Sequence, residues 1–415
     1  METQMGDAGD VSTFLGYRYL PDQPIIDESL QSAANHDTPT GTFDSLADSG
    51  VTALLETVRE IADESPADAR HVIPLSGGLD SRILLGAVTS VIPTDELVAL
   101  TYGTPGSYDW ELGQQVAEAA GIEHHHIDLR PRKFDWSRDF QLRMIDYYSH
   151  PTKLFGGLEA LMVAYDRHGI TESDVCWTGY MGDAISGDHL PKTESKTWNE
   201  AIEHFITKNF KAGHLTAPGY DPTERLPDNP IFNREALNYD DQLDIGIRQP
   251  YLIAPSKLFG DYHVAPFHRD PFFSFMINAP REVRTDRSLY REIGQRIAPE
   301  LFKVPTQQSR GLGVGVSKTR VRAHIVRQKA EQRVRKAVGR PKPPKHTRRF
   351  DWDLELRRSE SLQSTIEPLL TSLAERDIIP WLSPTELYQS HQRGEDNGYD
   401  IYLLSSLELH LQHAE

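Results

Sequence analysis

Residues 71–85, HVIPLSGGLDSRILL, constrain the fold of this chain more than any other stretch. The apolar run at 72–75 predicts a buried strand, and the apolar, helix-compatible run at 83–88 predicts a helix. Gly77 and Gly78 lie between them and have no Cβ, so the backbone can turn tightly there and approach an anion closely. The first N–H groups of the following helix have no partner within the helix and point toward the same place. We therefore predict a strand, an anion-binding glycine loop and a helix.

The polar residues of this loop suit the pyrophosphate end of ATP. Ser76 and Ser81 supply hydroxyl donors, and Asp80 supplies a carboxylate that can hold a divalent cation. The pattern is not a Walker loop, because that loop needs a lysine and none occurs at 76–85. The alternative is a structural turn between strand and helix that happens to contain two glycines.

Strand patterns alternate with helix patterns around the loop. Strands are predicted at 97–101, 124–129 and 175–178, and helices at 46–64, 109–120 and 154–168. Gly121 closes the second of these helices as a C-terminal stop. The alternation predicts an α/β fold with a parallel sheet and helices on both faces. Ligands bind at the carboxyl ends of the strands in such sheets, where the loops 76–81, 102–109 and 178–188 lie.

The strand signal fades beyond residue 195, which predicts a mainly helical C-terminal lobe. Helical patterns occur there at 198–210, 271–279, 288–297, 318–337 and 400–412. The predicted organisation is a short N-terminal tail at 1–45, an α/β core at 46–195, a helical lobe at 196–340 that completes the site, and a linker with C-terminal helices at 341–415.

The loop motifs resemble those of a known enzyme family. S-G-G-x-D-S is similar to the pyrophosphate loop of the N-type ATP pyrophosphatases, which break ATP between its α- and β-phosphates. With LVALTYG at 97–103 and TGYMGDAISGD at 178–188, the chain resembles the synthetase domain of asparagine synthetases, whose relatives include β-lactam synthetases. The likeness covers about residues 46–315, with a fragment at 14–21 that looks like the family's inter-domain tail.

This resemblance implies an adenine nucleotide α-hydrolase-like fold and an AMP-forming carbon–nitrogen ligase. Such an enzyme adenylates a carboxylate, here aspartate or a related acid, and releases pyrophosphate. It then transfers the acyl group to ammonia or an amine. The implied cofactors are ATP and Mg²⁺.

The resemblance also assigns roles to individual residues. Asp80 and Asp183 would hold Mg²⁺ on the pyrophosphate. Asp80 and Arg287 would be catalytic, because Arg287 in TDRSLYREI stands where the family has a lysine that neutralises charge on the α-phosphate and the acyl oxygen. The implied ATP-binding residues are Leu75, Ser76, Gly77, Gly78, Leu79, Asp80, Ser81, Tyr102, Thr178 and Gly179.

Three further features depart from the family pattern. Tyr180 replaces a glutamate that helps to form the adenylate, and Ala184 replaces the second acid of an Asp-Glu pair. The family's N-terminal glutaminase domain is not expected here, since residue 2 is Glu2, the only cysteine is Cys176, and about 45 residues precede the first core helix. The nitrogen is then expected to come from free ammonia, a bound amine or a separate glutaminase.

Charge and composition limit the partners and the compartment. Lys and Arg total 44 against 61 Asp and Glu, and the net charge of −17 opposes general nucleic-acid binding, which needs cations for the phosphates. An acidic surface of this kind suits a halophilic, high-salt cytoplasm. The single cysteine excludes an internal disulfide. Neither a signal peptide nor a membrane span is predicted, so the expected location is cytoplasmic.

The basic stretch at 318–349 leaves two interpretations open. It either contacts an anionic partner such as RNA, or forms a helix salt-bridged to the acidic body and followed by a proline-rich linker at 341–344. RNA binding would favour an N-type ATP pyrophosphatase that modifies RNA. A catalytically silent ATP-binding scaffold is a further alternative, which Tyr180 and Ala184 favour.

Overall fold

A sheet of five parallel strands lies at the centre of the computed structural model, in the spatial order β3-β2-β1-β4-β5. The strands are β1 (His71–Pro74), β2 (Leu97–Gly103), β3 (Glu123–Asp128), β4 (Val175–Trp177) and β5 (His263–Val264). The structure describes residues 7–148, 150–155, 157–171, 173–252, 263–306, 312, 318–337 and 349–415. The predicted α/β class with a parallel sheet is confirmed.

Helices fill most of the remaining described chain. Before β4 they are α1 (Ala8–Tyr17), α2 (Glu28–Ala34), α3 (Phe43–Glu64), α4 (Leu79–Thr89), α5 (Tyr108–Ala120), α6 (Arg138–Ile145) and α7 (Gly157–His168). Between β4 and residue 252 they are α8 (Gly182–Ile185), α9 (Trp198–Asn209), α10 (Tyr239–Leu243) and α11 (Gln249–Leu252). A π-helical turn, Asp244–Arg248, joins the last two.

The helices after β5 complete the chain. They are α12 (Phe272–Asn278), α13 (Arg281–Arg284), α14 (Ser288–Ile297), α15 (Lys318–Ala337), α16 (Trp352–Arg358), α17 (Glu360–Glu375), α18 (Pro384–Gln392) and α19 (Gly398–His413). The five helical patterns that the sequence shows beyond residue 195 correspond to α9, α12, α14, α15 and α19, with bounds that agree within two residues. The proline-rich stretch at 341–344 lies outside the described residues.

Helix ends follow local sequence signals. The Thr42 hydroxyl accepts a hydrogen bond from the Ser45 N–H at 3.2 Å and caps the start of α3. Gly121 ends α5 with φ of 70°, a left-handed conformation that costs glycine little. This agrees with its predicted role as a helix stop.

Each face of the sheet packs on its own apolar core, because neighbouring residues of a strand point to opposite faces. Ile73 and Trp177 belong to the first core, which α3, α4, α12 and α14 cover. Val72 and Cys176 belong to the second core, which α7, α17 and α19 cover. A smaller third cluster surrounds Tyr17 and includes residues of α9 and α10.

The two ends of the described chain meet on the second face of the sheet. Phe14 of α1 is fully buried in the second core together with Leu403 and Leu407 of α19. Within the described residues, no helix is both long and apolar enough to cross a bilayer.

His410 of α19 joins these ends to the segment that leads into α7. Its ring packs edge-on against Phe14 at 5.8 Å, and its Nε2 lies 2.6 Å from the Thr152 carbonyl oxygen, to which it donates. Burial lowers the pKa of His410 to about 4, so the ring is neutral in the folded protein. In the unfolded chain the same ring protonates near pH 6.5.

Acidification is therefore expected to destabilise the fold through His410. Between about pH 6.5 and 4 the unfolded chain takes up a proton that the folded protein excludes, which removes up to about 1.4 kcal/mol per pH unit. Urea unfolding at pH 7, 6 and 5 measures this loss. His410→Gln should be less stable at pH 7 but lose less stability on acidification. The exposed His36→Gln should follow the unsubstituted protein, and parallel curves for all three proteins would contradict the assignment.

Candidate active site

The loop after β1 is folded on itself by its two serines. The Ser81 hydroxyl donates to the Ser76 carbonyl at 3.0 Å, and the Ser76 hydroxyl accepts from the Gly78 N–H at 3.1 Å. Gly78 is the N-cap of α4 and brings no side-chain hydrogen bond to the helix start. The first N–H groups of α4 are therefore left for a ligand, whereas the Ser81 hydroxyl is already used within the loop.

Arg82 anchors this loop from behind. Its buried guanidinium donates to the carbonyls of Gly77 at 3.1 Å, Leu301 at 3.2 Å and Val304 at 2.6 Å. Burial lowers the pKa of Arg82 to about 10, so the group stays charged at neutral pH. The sequence prediction missed this residue. Its signal in the sequence is an arginine directly before the apolar run at 83–88.

The loop after β4 meets the first loop through glycines. A Cβ on Gly182 would lie 2.7 Å from Cγ of Asp80, so this approach requires a residue without a side chain. A Cβ on Gly179 would lie 3.7 Å from Cβ of Asp80, an ordinary contact distance. Met181, between them, has φ of 68°. Since left-handed conformations are unfavourable for a residue with a Cβ, this turn is held under strain by its surroundings.

The structure brings Asp80, Asp183 and Arg287 together. Nη2 of Arg287 lies 3.0 Å from Oδ1 of Asp80 and 3.2 Å from Oδ1 of Asp183, and Nη1 lies 3.4 Å from Oδ1 of Asp188. The guanidinium also lies 5.8 Å from the ring centre of Tyr290. Asp188 and Tyr290 are site residues that the sequence prediction did not name.

The surroundings of Asp80 disfavour its ionised form. Burial, with the charge of Asp183 added, raises the pKa of Asp80 well above its usual range, while Arg287 opposes the shift. Arg287 itself is 7% exposed and has φ of 58° at the start of α14. The two carboxylates thus face one position that calls for positive charge, and a divalent cation with oxygen ligands fits that requirement.

A second polar network continues from Asp188. The ligand atoms of Asp183, Asp188 and His189 lie within 4.8 Å of one another. Nδ1 of His189 lies 2.8 Å from Oδ2 of Asp244, and Arg248 donates to Oδ1 of Asp244 at 3.1 Å. Burial alone would raise the pKa of Asp244, but His189 and Arg248 hold it well below its usual range. The π-helical turn carries both Asp244 and Arg248, and such turns are frequent at functional sites.

No protein-family model matches this chain, and no curated protein shows significant similarity to it. Three carboxylates surround one buried arginine at the carboxyl ends of β1 and β4.

The other predicted ATP-binding residues lie on both sides of the cluster. Thr178 follows β4, and its buried hydroxyl has no hydrogen-bond partner among the described residues, so it is available to a ligand. Tyr102 lies in β2, and the guanidinium of Arg349 lies 4.8 Å from its ring centre. Arg349 in turn donates to Asp109 at 2.8 Å. This arginine, distant in sequence, was not predicted to contact the site.

Tyr180 and Ala184 are buried in the first apolar core. Tyr180 is 9% exposed, packs edge-on against His268 at 5.3 Å, and lies in the first core. Burial raises the pKa of its phenol, which stays neutral. Ala184 is also buried in that core. The two departures from the family pattern therefore place core residues where the family has acids.

Gly182 is expected to tolerate no side chain. Gly182→Ala places a Cβ against the carboxylate of Asp80 and should lower the free energy of unfolding by about 1–3 kcal/mol, a typical cost of overpacking. Gly179→Ala is the matched control in the same loop and should change stability little, because its Cβ has room. Urea unfolding of both variants measures the difference, and equal losses would refute the proposed close approach.

Proposed function

We propose that this protein is an ATP-dependent amide ligase of the asparagine-synthetase type, with an adenine nucleotide α-hydrolase-like core. The observation that carries the proposal is the convergence of Asp80 and Asp183, from two glycine loops, on Arg287. The resemblance of these loops to the family's motifs supports the same conclusion. The unpartnered Thr178 hydroxyl and the uncapped start of α4 are the donors that a nucleotide would use.

In the first step, a carboxylate oxygen of the acid attacks the α-phosphorus of ATP, and the bond to the bridging oxygen of the β-phosphate breaks. The N–H groups of the loop and of α4 would bind the departing pyrophosphate. Asp80 and Asp183 would hold Mg²⁺, which supplies positive charge to that leaving group when it is bound. Arg287 would stabilise charge on the α-phosphate and on the acyl oxygen.

In the second step, ammonia or an amine attacks the acyl carbon of the adenylate. The carbon–oxygen bond to AMP breaks, AMP leaves with the electron pair, and the new amide nitrogen loses a proton. The nitrogen source is proposed to be ammonia, an amine substrate or a separate glutaminase.

Arg287 lies at the position that the metal would take in this proposal. Its Nη2 now lies against the same two oxygens that would hold the metal. Binding of Mg·ATP would replace this contact and free the guanidinium to turn toward the α-phosphate. In the ligand-free protein the arginine would neutralise the carboxylates. With Mg·ATP bound it would neutralise the α-phosphate.

ATP–pyrophosphate exchange tests the adenylation step. The assay uses aspartate and a panel of other carboxylic acids, each at low and at molar KCl. Asp80→Asn and Arg287→Met should lower the exchange rate about 10²–10³-fold, as expected for loss of one electrostatic contact to a developing charge. Arg287→Lys should retain more activity than Arg287→Met, because it keeps the charge but not the planar fork.

Asp95→Asn is the control, since Asp95 is exposed and lies before β2. Its exchange rate should equal that of the unsubstituted protein. Calorimetry with Mg·ATP separates the alternatives. A catalytically silent scaffold would bind Mg·ATP and show no ATP–pyrophosphate exchange with any of the acids. Absence of both binding and exchange would refute the proposed function.

A further inference from the structure

The basic helix α15 is turned toward solvent along most of its described length. It contains eight Lys and Arg and one Glu, a net charge of +7 in a chain whose net charge is −17. Of the eleven side chains that the structure describes in this helix, nine are exposed, and His324 and Ile325 are half-buried. The half-buried pair marks the side of α15 that faces the rest of the protein.

Three of the exposed arginines are not paired with the acidic body. Arg322, Arg327 and Arg333 form no ion pair within 4.0 Å in the part of the chain that the structure describes. By contrast, Arg284 and Arg296 contact carboxylates at 2.7 Å and 2.6 Å. Of the two interpretations of the basic stretch, these arginines favour the one with an anionic partner.

The nine exposed residues form an ordered surface, the α15 band. At about 100° per residue, they cover about 160° of the helix circumference. The middle of the band holds Thr319 and four apolar side chains, Ala323, Val326, Ala330 and Val334. The edges hold arginines, with Arg322 and Arg333 on one side and Arg320 and Arg327 on the other. The band is therefore an apolar centre bordered by positive charge on both sides.

The two valines make this centre unusual for a surface. Val326 and Val334 are the most exposed large apolar side chains among the described residues, at 66% and 64%. They lie about 12 Å apart along the helix axis. A single exposed valine needs no explanation. Two valines in the centre of one arginine-bordered band form a surface that a partner can cover.

The pattern of the band distinguishes between anionic partners. A nucleic-acid backbone offers phosphates to the arginines but leaves the valines in water. Helices that bind anionic membranes bury Trp, Phe or Leu, and none of these lies among the described residues of the band. A second α15 is repelled, because both helices carry a net charge of +7. A helix with an apolar stripe bordered by Asp or Glu complements both the centre and the edges.

We infer that the α15 band is a docking surface for an acidic amphipathic helix of a partner protein. The partner's apolar side chains would cover Val326 and Val334, and its carboxylates would accept hydrogen bonds from the arginines at the edges. Arginine suits this role, because its planar fork can bind one carboxylate through two parallel hydrogen bonds. Charged edges beside an apolar stripe also select the partner, as they do in coiled coils. The inference does not depend on the proposed ligase activity.

Fluorescence anisotropy with a labelled peptide tests this surface on the intact chain at a fixed, low KCl concentration. The probe is a synthetic peptide of repeated Glu-Ile-Ala-Ala-Leu-Glu-Glu heptads, a helix whose apolar stripe is bordered by Glu. The unsubstituted protein should bind the probe. Arg322→Glu combined with Arg333→Glu should weaken binding about tenfold or more, because like charges then face each other. Val326→Ser combined with Val334→Ser should weaken it about tenfold by removing the apolar centre.

Matched controls separate docking from net charge and from a folding defect. Arg358→Glu combined with Arg393→Glu, at two exposed arginines outside α15, changes the net charge equally and should bind the probe normally. A scrambled peptide of the same composition should bind more weakly than the probe. Every variant should unfold at the temperature of the unsubstituted protein, because the substituted side chains are exposed.

The other partners are outcomes of the same experiment. If poly(U) RNA binds more tightly than the probe and the Arg322 and Arg333 variant loses it, the band is a nucleic-acid site and the inference fails. It fails equally if phosphatidylglycerol vesicles displace the probe, if sedimentation shows self-association that depends on these arginines, or if the probe does not bind. Binding that survives both serine substitutions unchanged reflects charge alone and would also overturn the inference.

Discussion

One guanidinium holds the candidate site together. Arg287 lies within 3.4 Å of oxygens from Asp80, Asp183 and Asp188, which come from two separate loops. Carboxylates at such distances repel one another and resist joint ionisation unless a positive charge lies among them. The left-handed backbone at Arg287 places this charge at the start of α14. The approach of the two loops, and hence the shape of this edge of the candidate site, depends on that placement.

The sheet determines which loops can meet in this way. Because β1 lies between β2 and β4, the loops that follow all three strands leave the same edge of the sheet side by side. Glycine at position 182 then permits the closest contact, with Asp80 against the backbone of the second loop. Arg82 fixes the first loop from the core side through backbone carbonyls alone. The outer surface of the loop is thereby left to a ligand.

The sequence was sufficient for the features that repeat with a regular period or occur as a compact motif. The glycine loop and the alternation of strands and helices were predicted, and the family resemblance assigned Asp80, Asp183 and Arg287 to one site. It was insufficient for β5, whose two residues are too short for a periodic signal. It also missed His189, Asp244, Arg248 and Arg349, because their importance arises from pairing between segments far apart in the chain. Asp244 and Arg248 show only the four-residue spacing of an ordinary helical ion pair.

Two groups of charges in this protein lack an equal opposite charge. Around Arg287 the acids outnumber the cation, so the cluster favours a further positive charge such as a metal ion. On α15 the cations outnumber the acid, so that surface favours an anionic partner. Each imbalance costs stability in the free protein, and a folded chain keeps such costs where ligands relieve them.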